Sequence, residues 1–160
     1  MYPYSGQVAN NLTTAELTLS PKPDRKLLDL LQARLREETQ AHADYLYHWE
    51  TAAEQEKPVF YALAMDEAKH ASVLRQMIEE LTGAVPAAQT AKDPKSQPQK
   101  DLFALALEEA EDGETYRALM LSFLNRSLRD RFFELMTDEM LHAQKLNTLA
   151  AARAKGTAAP

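Results

Sequence analysis

Cysteine is absent from the 160-residue sequence. Its absence excludes disulfides, thiol nucleophiles, zinc knuckles, iron–sulfur clusters and any other iron site built from thiolates within these residues. Long apolar runs are also missing, because no stretch approaches the roughly 20 residues that cross a bilayer. Lysine and arginine form no cluster and the formal net charge is −6, so neither a membrane nor a nucleic acid is an expected partner.

Glycine is scarce as well, with four residues, whereas alanine, leucine, glutamate and lysine are abundant. This balance favours α-helix, and the length suits one domain with a hydrophobic core. The many carboxylates suit hard cations. The first residues lack the basic and then apolar pattern of a signal peptide, so we expect a cytoplasmic protein.

Apolar residues recur at steps of three and four through four segments, which predicts an all-α protein with four helices. The residues predicted to begin or end these helices are Asp24, Pro58, Gly83, Asp101 and Asn125, followed by Ser127 with Asp130 as a capping box. We predict an extended or disordered N-terminal arm over residues 1–23, a helical bundle over 24–152 with a connector at about 84–100, and a disordered tail over 153–160.

The lengths of the connections predict the topology. Short breaks after the first and third helices predict two antiparallel helical hairpins. The middle connector of roughly 17 residues can cover about 50 Å when extended, more than the roughly 40 Å of a 26-residue helix. The second and third helices can therefore run parallel. Two hairpins joined by one long crossover is the connectivity of a ferritin-like four-helix bundle.

Each predicted hairpin carries a glutamate, a tyrosine seven residues later, and Glu-x-x-His on its second helix. The two sets are Glu38, Tyr45, Glu67 and His70, and Glu109, Tyr116, Glu139 and His142. The offsets between the sets are 71, 71, 72 and 72 residues, so one hairpin pattern occurs twice. The glutamates and histidines interrupt apolar stripes, where unpaired carboxylates are costly to bury. These six residues predict a dinuclear metal site, with Glu67 and Glu139 as bridges.

Other residues near this pattern leave alternatives open. Asp112, one turn after Glu109, fits an additional ligand, a proton carrier or a hydrogen-bond partner of a ligand. His42 fits a metal ligand, a group that orients a carboxylate, or a hydrogen-bonded core histidine. The two tyrosines either donate hydrogen bonds to ligand carboxylates or simply pack in the core. Gly113 in the third helix either makes room for an ion, a substrate or a local bulge, or is merely tolerated. His48 and the acidic neighbours Glu37, Glu108 and Glu111 are predicted to be exposed.

The sequence resembles the rubrerythrin-like branch of the ferritin-like superfamily over about residues 25–150. The resemblance lies in the segments from Arg36 to Tyr45, Asp66 to His70, Glu109 to Tyr116, and Asp138 to His142. It implies a non-haem di-iron centre that reacts with hydrogen peroxide or dioxygen, and that reduces peroxide to water while cycling between ferrous and ferric iron. Rubrerythrins carry an extra carboxylate where this chain has the shorter Asp112. Because these residues contain no cysteine, we expect no rubredoxin domain among them and an external electron donor.

These observations favour a peroxidase-like di-iron oxidoreductase in which Asp112, Tyr45 and Tyr116 assist as catalytic residues. Three other functions use the same ligands: a ferroxidase or iron-handling protein, a manganese catalase-like dismutase, and a non-catalytic helical module that metal stabilises. The expected cofactor is a pair of iron ions, with manganese as the alternative. The resemblance also implies a homodimer.

Overall fold

The computed structural model describes residues 25–97 and 100–157. The predicted N-terminal arm, the Asp24 cap and residues 158–160 lie outside the described residues. Four α-helices follow one another along the chain, and the prediction of an all-α bundle is confirmed. They are α1 (Arg25–Thr51), α2 (Lys57–Thr82), α3 (Leu102–Ser122) and α4 (Arg126–Thr157), with a 3-10 turn at Pro94–Ser96 in the connector. None of these described helices is long and apolar enough to span a membrane.

Two apolar clusters occupy opposite ends of the bundle. The first joins the start of α1 to the end of α2 and the end of α3 to the start of α4, through Leu31, Leu35, Leu74, Met77, Ile78, Tyr116, Leu119, Phe132 and Leu135. The second joins the other ends of the same helices, through Tyr45, Phe60, Leu63, Ala64, Leu102, Leu105, Ala106 and Leu146. Both hairpins are therefore antiparallel, as predicted. The middle of the bundle, between the two apolar clusters, is occupied by other side chains.

Contacts between the hairpins fix their relative direction. At one end of the bundle, Arg131 of α4 forms an ion pair with Glu80 of α2. At the other end, Arg153 of α4 forms an ion pair with Glu56, the residue before α2. These pairs make α2 antiparallel to α4. Because each hairpin is also antiparallel, α2 and α3 run parallel, and the segment between them crosses the length of the bundle. The ferritin-like topology is the one predicted.

The helix ends follow local chemistry, with two departures from prediction, the first of which is that α3 ends at Ser122 and not at Asn125. Gly83 ends α2 with a φ of 72°, a left-handed conformation that glycine adopts without strain. The side chain of Asp101 accepts a hydrogen bond from the Ala104 amide at the start of α3. At the start of α4 the cap is Asn125, whose Oδ1 accepts from the Leu128 amide at 3.1 Å. The predicted capping role of Ser127 was wrong, because Ser127 already lies inside the helix.

Helix α4 also continues to Thr157, into the segment for which the sequence predicted a disordered tail. Arg153 explains the extension, since its Nε and Nη2 donate to the two carboxylate oxygens of Glu56, both at 2.6 Å. Arg153 holds the pKa of Glu56 below its usual value. This two-point ion pair fastens the last turns of α4 to the link between α1 and α2.

Candidate metal centre

Between the two apolar clusters lies a layer of charged side chains. Each helix contributes one glutamate, and α2 and α4 each add a histidine one turn later: Glu38, Glu67, His70, Glu109, Glu139 and His142. None of these six residues is more than 7% exposed. The three-residue spacing places Glu67 with His70, and Glu139 with His142, on the inner face of one helix. The structure thus brings together all six residues that the sequence pattern singled out.

The six residues form two overlapping groups, each of which can hold one metal ion. The first is Glu38, Glu67, His70 and Glu139, and the second is Glu67, Glu109, Glu139 and His142. Within each group the potential ligand atoms lie within 4.8 Å of one another. Glu67 and Glu139 belong to both groups, which is the position of bridging carboxylates.

Both imidazoles direct Nδ1 to the centre. His70 Nδ1 lies 3.1 Å from Glu139 Oε1 and 3.3 Å from Glu67 Oε2. His142 Nδ1 lies 2.9 Å from Glu67 Oε1 and 3.1 Å from Glu139 Oε2. Among the described residues, Glu67 Oε1, Glu139 Oε1 and His70 Nδ1 are buried without a hydrogen-bond partner of good geometry. Buried polar atoms that face one another without hydrogen bonds fit a cation between them.

Two aspartates hold the outer side of the imidazoles. His70 Nε2 lies 3.3 Å from Asp138 Oδ2, and His142 Nε2 lies 3.2 Å from Asp66 Oδ2. Each aspartate therefore serves the histidine of the other hairpin. A proton on Nε2 that is donated to aspartate leaves the Nδ1 lone pair for a metal ion. Sequence reasoning assigned these aspartates no role, although both directly precede the glutamate of a Glu-x-x-His motif.

The two tyrosines donate hydrogen bonds across the α1–α3 interface. Tyr45 donates to Glu109 Oε1, and Tyr116 donates to Glu38 Oε1. Burial, together with the charge of these carboxylates, raises the pKa of both hydroxyls well above the usual value, so both stay protonated. The tyrosines orient carboxylates in addition to packing in the core.

Asp112 stands apart from both ligand groups. Its Oδ1 accepts a hydrogen bond from Arg34 Nη1 at 2.7 Å. Burial raises the pKa of Asp112 in spite of that cation. Asp112, Tyr45 and Glu109 line a cavity of about 350 Å³ between α1 and α3, together with the exposed residues Glu37, Glu108 and Glu111.

Five further residues near the centre had sequence-based predictions, two of them histidines and three of them glutamates. His42 donates its Nδ1 proton to the Ala64 carbonyl oxygen at 2.7 Å, as a hydrogen-bonded core histidine does. His48 is half-buried and stacks on Phe60, with ring centroids 5.1 Å apart, so the prediction that it is exposed was wrong. The acidic neighbours predicted to be exposed are so: Glu37, Glu108 and Glu111.

Gly113 lets α3 and α4 approach each other beside the centre. A Cβ atom at this position would lie 3.2 Å from Met140 Sδ and 3.6 Å from Glu139 Cβ. The first distance is shorter than ordinary van der Waals contact. The absence of a Cβ at Gly113 therefore leaves room for the side chains of Met140 and Glu139 on α4.

Without metal, bound protons balance the charge of the buried carboxylates. Burial raises the pKa of Glu67 to about 8 and that of Glu109 to about 7. Burial also acts on Glu38 and Glu139, but contacts with the histidines lower their pKa, to about 2 for Glu38. The carboxylates outweigh burial at the histidines and raise the pKa of both, to about 12 for His142. Near neutral pH two imidazolium ions thus face two carboxylates, while Glu67 holds a proton and Glu109 is about half protonated.

The residues fit two divalent cations in place of those protons. Four carboxylates carry about −4 when ionised, which two divalent ions neutralise, and the imidazoles become neutral ligands. A site of oxygen donors with one imidazole for each ion suits iron or manganese. The buried donor set is therefore compatible with a dinuclear metal centre in both charge and chemistry.

A family model for rubrerythrin matches residues 29–150, which is most of the chain. The chain belongs to the rubrerythrin family. The match includes all six residues of the centre and confirms the predicted resemblance. The carboxylates and histidines of this rubrerythrin-family chain fit a di-iron site. Comparisons with curated proteins and with solved structures found no match.

Loading the centre is expected to release protons. Well below pH 7, two divalent cations displace about four protons, one each from His70, His142, Glu67 and Glu109. Well above pH 8 the two glutamates are already ionised, so the release falls to about two. Because the raised pKa values let protons compete with the cation, affinity rises with pH. Calorimetric titration with Mn²⁺ in buffers of different ionisation enthalpy measures this number, and a release that does not depend on pH would contradict the charge balance.

Proposed function

We propose that this protein is a non-haem di-iron oxidoreductase that reduces hydrogen peroxide, with dioxygen as the alternative oxidant. The observation that carries the proposal is the pair of buried ligand groups sharing Glu67 and Glu139. Glu38 with His70 would complete one iron position, and Glu109 with His142 the other. A ferrous pair supplies the two electrons that, with two protons, convert one peroxide molecule into two water molecules.

The chain's own residues orient ligands and handle protons in this proposal. Tyr45 and Tyr116 hold Glu109 and Glu38 through their hydroxyls. Asp112 faces the cavity between α1 and α3, and its raised pKa suits a group that carries protons to the oxidant. The apolar clusters on both sides of the layer exclude bulk water. These 160 residues contain no cysteine for an iron–thiolate site, so an electron donor outside them would return the electrons.

The test compares the two oxidants on protein loaded anaerobically with ferrous iron. Stopped-flow mixing with equal concentrations of peroxide and of dioxygen follows the near-ultraviolet absorbance of the ferric product. We expect oxidation by peroxide to be faster, with about one peroxide consumed for each pair of irons. Equal rates, or no reaction with peroxide, would contradict the proposal. Elemental analysis of protein expressed in balanced medium distinguishes iron from manganese, and a manganese pair would favour the dismutase.

Iron handling is the second candidate, and the charge of the cavity favours it. Acidic residues line this cavity, among them Glu37, Asp44 and Glu108, and such a lining concentrates cations. A storage or ferroxidase role predicts continued uptake, with many more than two irons for each chain and an assembly of cage size. Iron quantification with size-exclusion chromatography decides between the two functions. The same column tests the predicted homodimer, which stays a prediction, as does the cytoplasmic location.

A further inference from the structure

A buried arginine touches one side of the centre. Arg34 of α1 is 6% exposed, and its guanidinium lies over the ring of Tyr116, 5.2 Å from the ring centroid. Its Nη1 donates to Asp112 Oδ1 at 2.7 Å, and its Nη2 lies 3.4 Å from Glu38 Oε1. Nη1 also lies 2.8 Å from the exposed carboxylate of Glu37. Glu38 Oε1 thus accepts from both Tyr116 and Arg34.

The other half of the centre has no equivalent of this arginine. The hairpin pattern repeats with an offset of 71 residues on α1 and α3, so the position that corresponds to Arg34 is Leu105, an apolar core residue. The position that corresponds to Asp112 is Ala41. Glu109 accepts from Tyr45, but no described arginine or lysine approaches it. The two halves of the repeat therefore differ by one buried positive charge and its aspartate partner.

That difference changes what each glutamate can offer a cation. A guanidinium that shares the Glu38 carboxylate competes for its charge, and it also repels a divalent ion bound to the same group. Burial strengthens both effects, because water screens little there. Asp112 counteracts both effects, because its carboxylate accepts a hydrogen bond from Arg34 Nη1 and partly neutralises the guanidinium. No described arginine or lysine forms an ion pair of this kind with Glu109.

We propose that Arg34 makes the two metal positions unequal, so that the Glu38–His70 position binds a divalent cation more weakly than the Glu109–His142 position, and that Asp112 limits the difference. This inference rests on the proposed metal centre. Asp112 is then a positioning residue for Arg34, in addition to the proton carrier proposed above. At limiting metal the first ion occupies the Glu109–His142 position, and the second position fills and empties more readily.

The test is an anaerobic titration of metal-free protein with Co²⁺, followed by visible absorption and calorimetry. We expect two steps about tenfold apart in dissociation constant, the size usual for groups that contact metal ligands. Arg34→Met should tighten the weaker step about tenfold and merge the two, whereas Asp112→Asn should widen the gap. Structural damage would not be expected to shift the Co²⁺ dissociation constants in opposite directions when either partner of the same ion pair is replaced. Arg131→Met, which breaks the surface pair with Glu80, is the matched control and should change neither step.

Variants that retain only one metal position show at which position Arg34 weakens binding. His142→Ala retains the Glu38–His70 position, and there Arg34→Met should tighten Co²⁺ binding about tenfold. His70→Ala retains the other position, and there the same change should have little effect. Equal tightening in both backgrounds, or a single Co²⁺ affinity for both positions in the unaltered protein, would overturn the inference while leaving the proposed function intact.

Absence of any Co²⁺ binding by the unaltered protein would defeat the inference together with the proposed function. If Arg34→Met does not fold, as judged by helical circular dichroism, Arg34→Lys and Asp112→Asn decide the question. The lysine retains the charge without the fork and should preserve two separate steps. Merged steps in Arg34→Lys combined with an unchanged gap in Asp112→Asn would reject the inference.

Discussion

Replacing Glu139 with glutamine is expected to abolish both the paired metal centre and its reaction with peroxide. Glu139 is common to the two ligand groups, with Oε1 3.1 Å from His70 Nδ1 and Oε2 3.1 Å from His142 Nδ1. Glutamine keeps the volume but removes the charge that would hold two cations together. We expect the bound metal to fall from two ions to fewer than one, and the rate of oxidation by peroxide to fall by more than about 100-fold.

Two further variants make this prediction specific. Glu134→Gln makes the same chemical change on an exposed residue of the same helix and should leave metal content and rate unaltered. Glu38→Gln removes a residue that belongs to only one group, so it should lower the content toward one ion. Metal content is measured by elemental analysis after removal of free ions, and rates by stopped flow. Two tightly bound ions in Glu139→Gln would show that Glu139 is not a bridge.

The inner layer was predictable from the sequence because its residues break a pattern. A glutamate or histidine on an apolar stripe is conspicuous, and the repeat of the pattern predicted that the two halves meet. The same reasoning cannot reveal partners that depend on the other hairpin. Asp66 precedes Glu67 by one position and so projects away from the inner face of α2, yet it reaches His142 across the bundle.

Arg34 shows the same limit more sharply. It lies between the core residues Leu31 and Leu35, where an arginine is ordinarily solvent-exposed. Its burial depends on Asp112, 78 residues away in the sequence, and on the ring of Tyr116. The extension of α4 to Thr157 has a similar origin, since Arg153 pairs with Glu56 from outside its own helix. Local periodicity carries no information about such long-range ion pairs.

Removing the metal is expected to lower the thermal stability of the protein by a large amount. A cation that binds the folded chain alone stabilises it by about 4 kcal/mol when its free concentration is 1,000 times the dissociation constant. Two ions together would contribute about 8 kcal/mol, and in a chain of this size each kcal/mol shifts Tm by about 2–4 °C. We therefore expect a strong chelator to lower Tm by about 15–30 °C, measured by circular dichroism at 222 nm.

The physical reason lies in what the layer becomes without metal. Four carboxyl groups and two imidazoles then remain buried between two apolar clusters, and proton sharing must balance a charge that two cations would otherwise balance. Chelator should consequently have little effect on the Tm of Glu139→Gln, whereas Glu134→Gln should respond as the unaltered protein does. A Tm that is the same with and without metal would mean that binding contributes no folding energy, and the buried acids would then need another source of compensation.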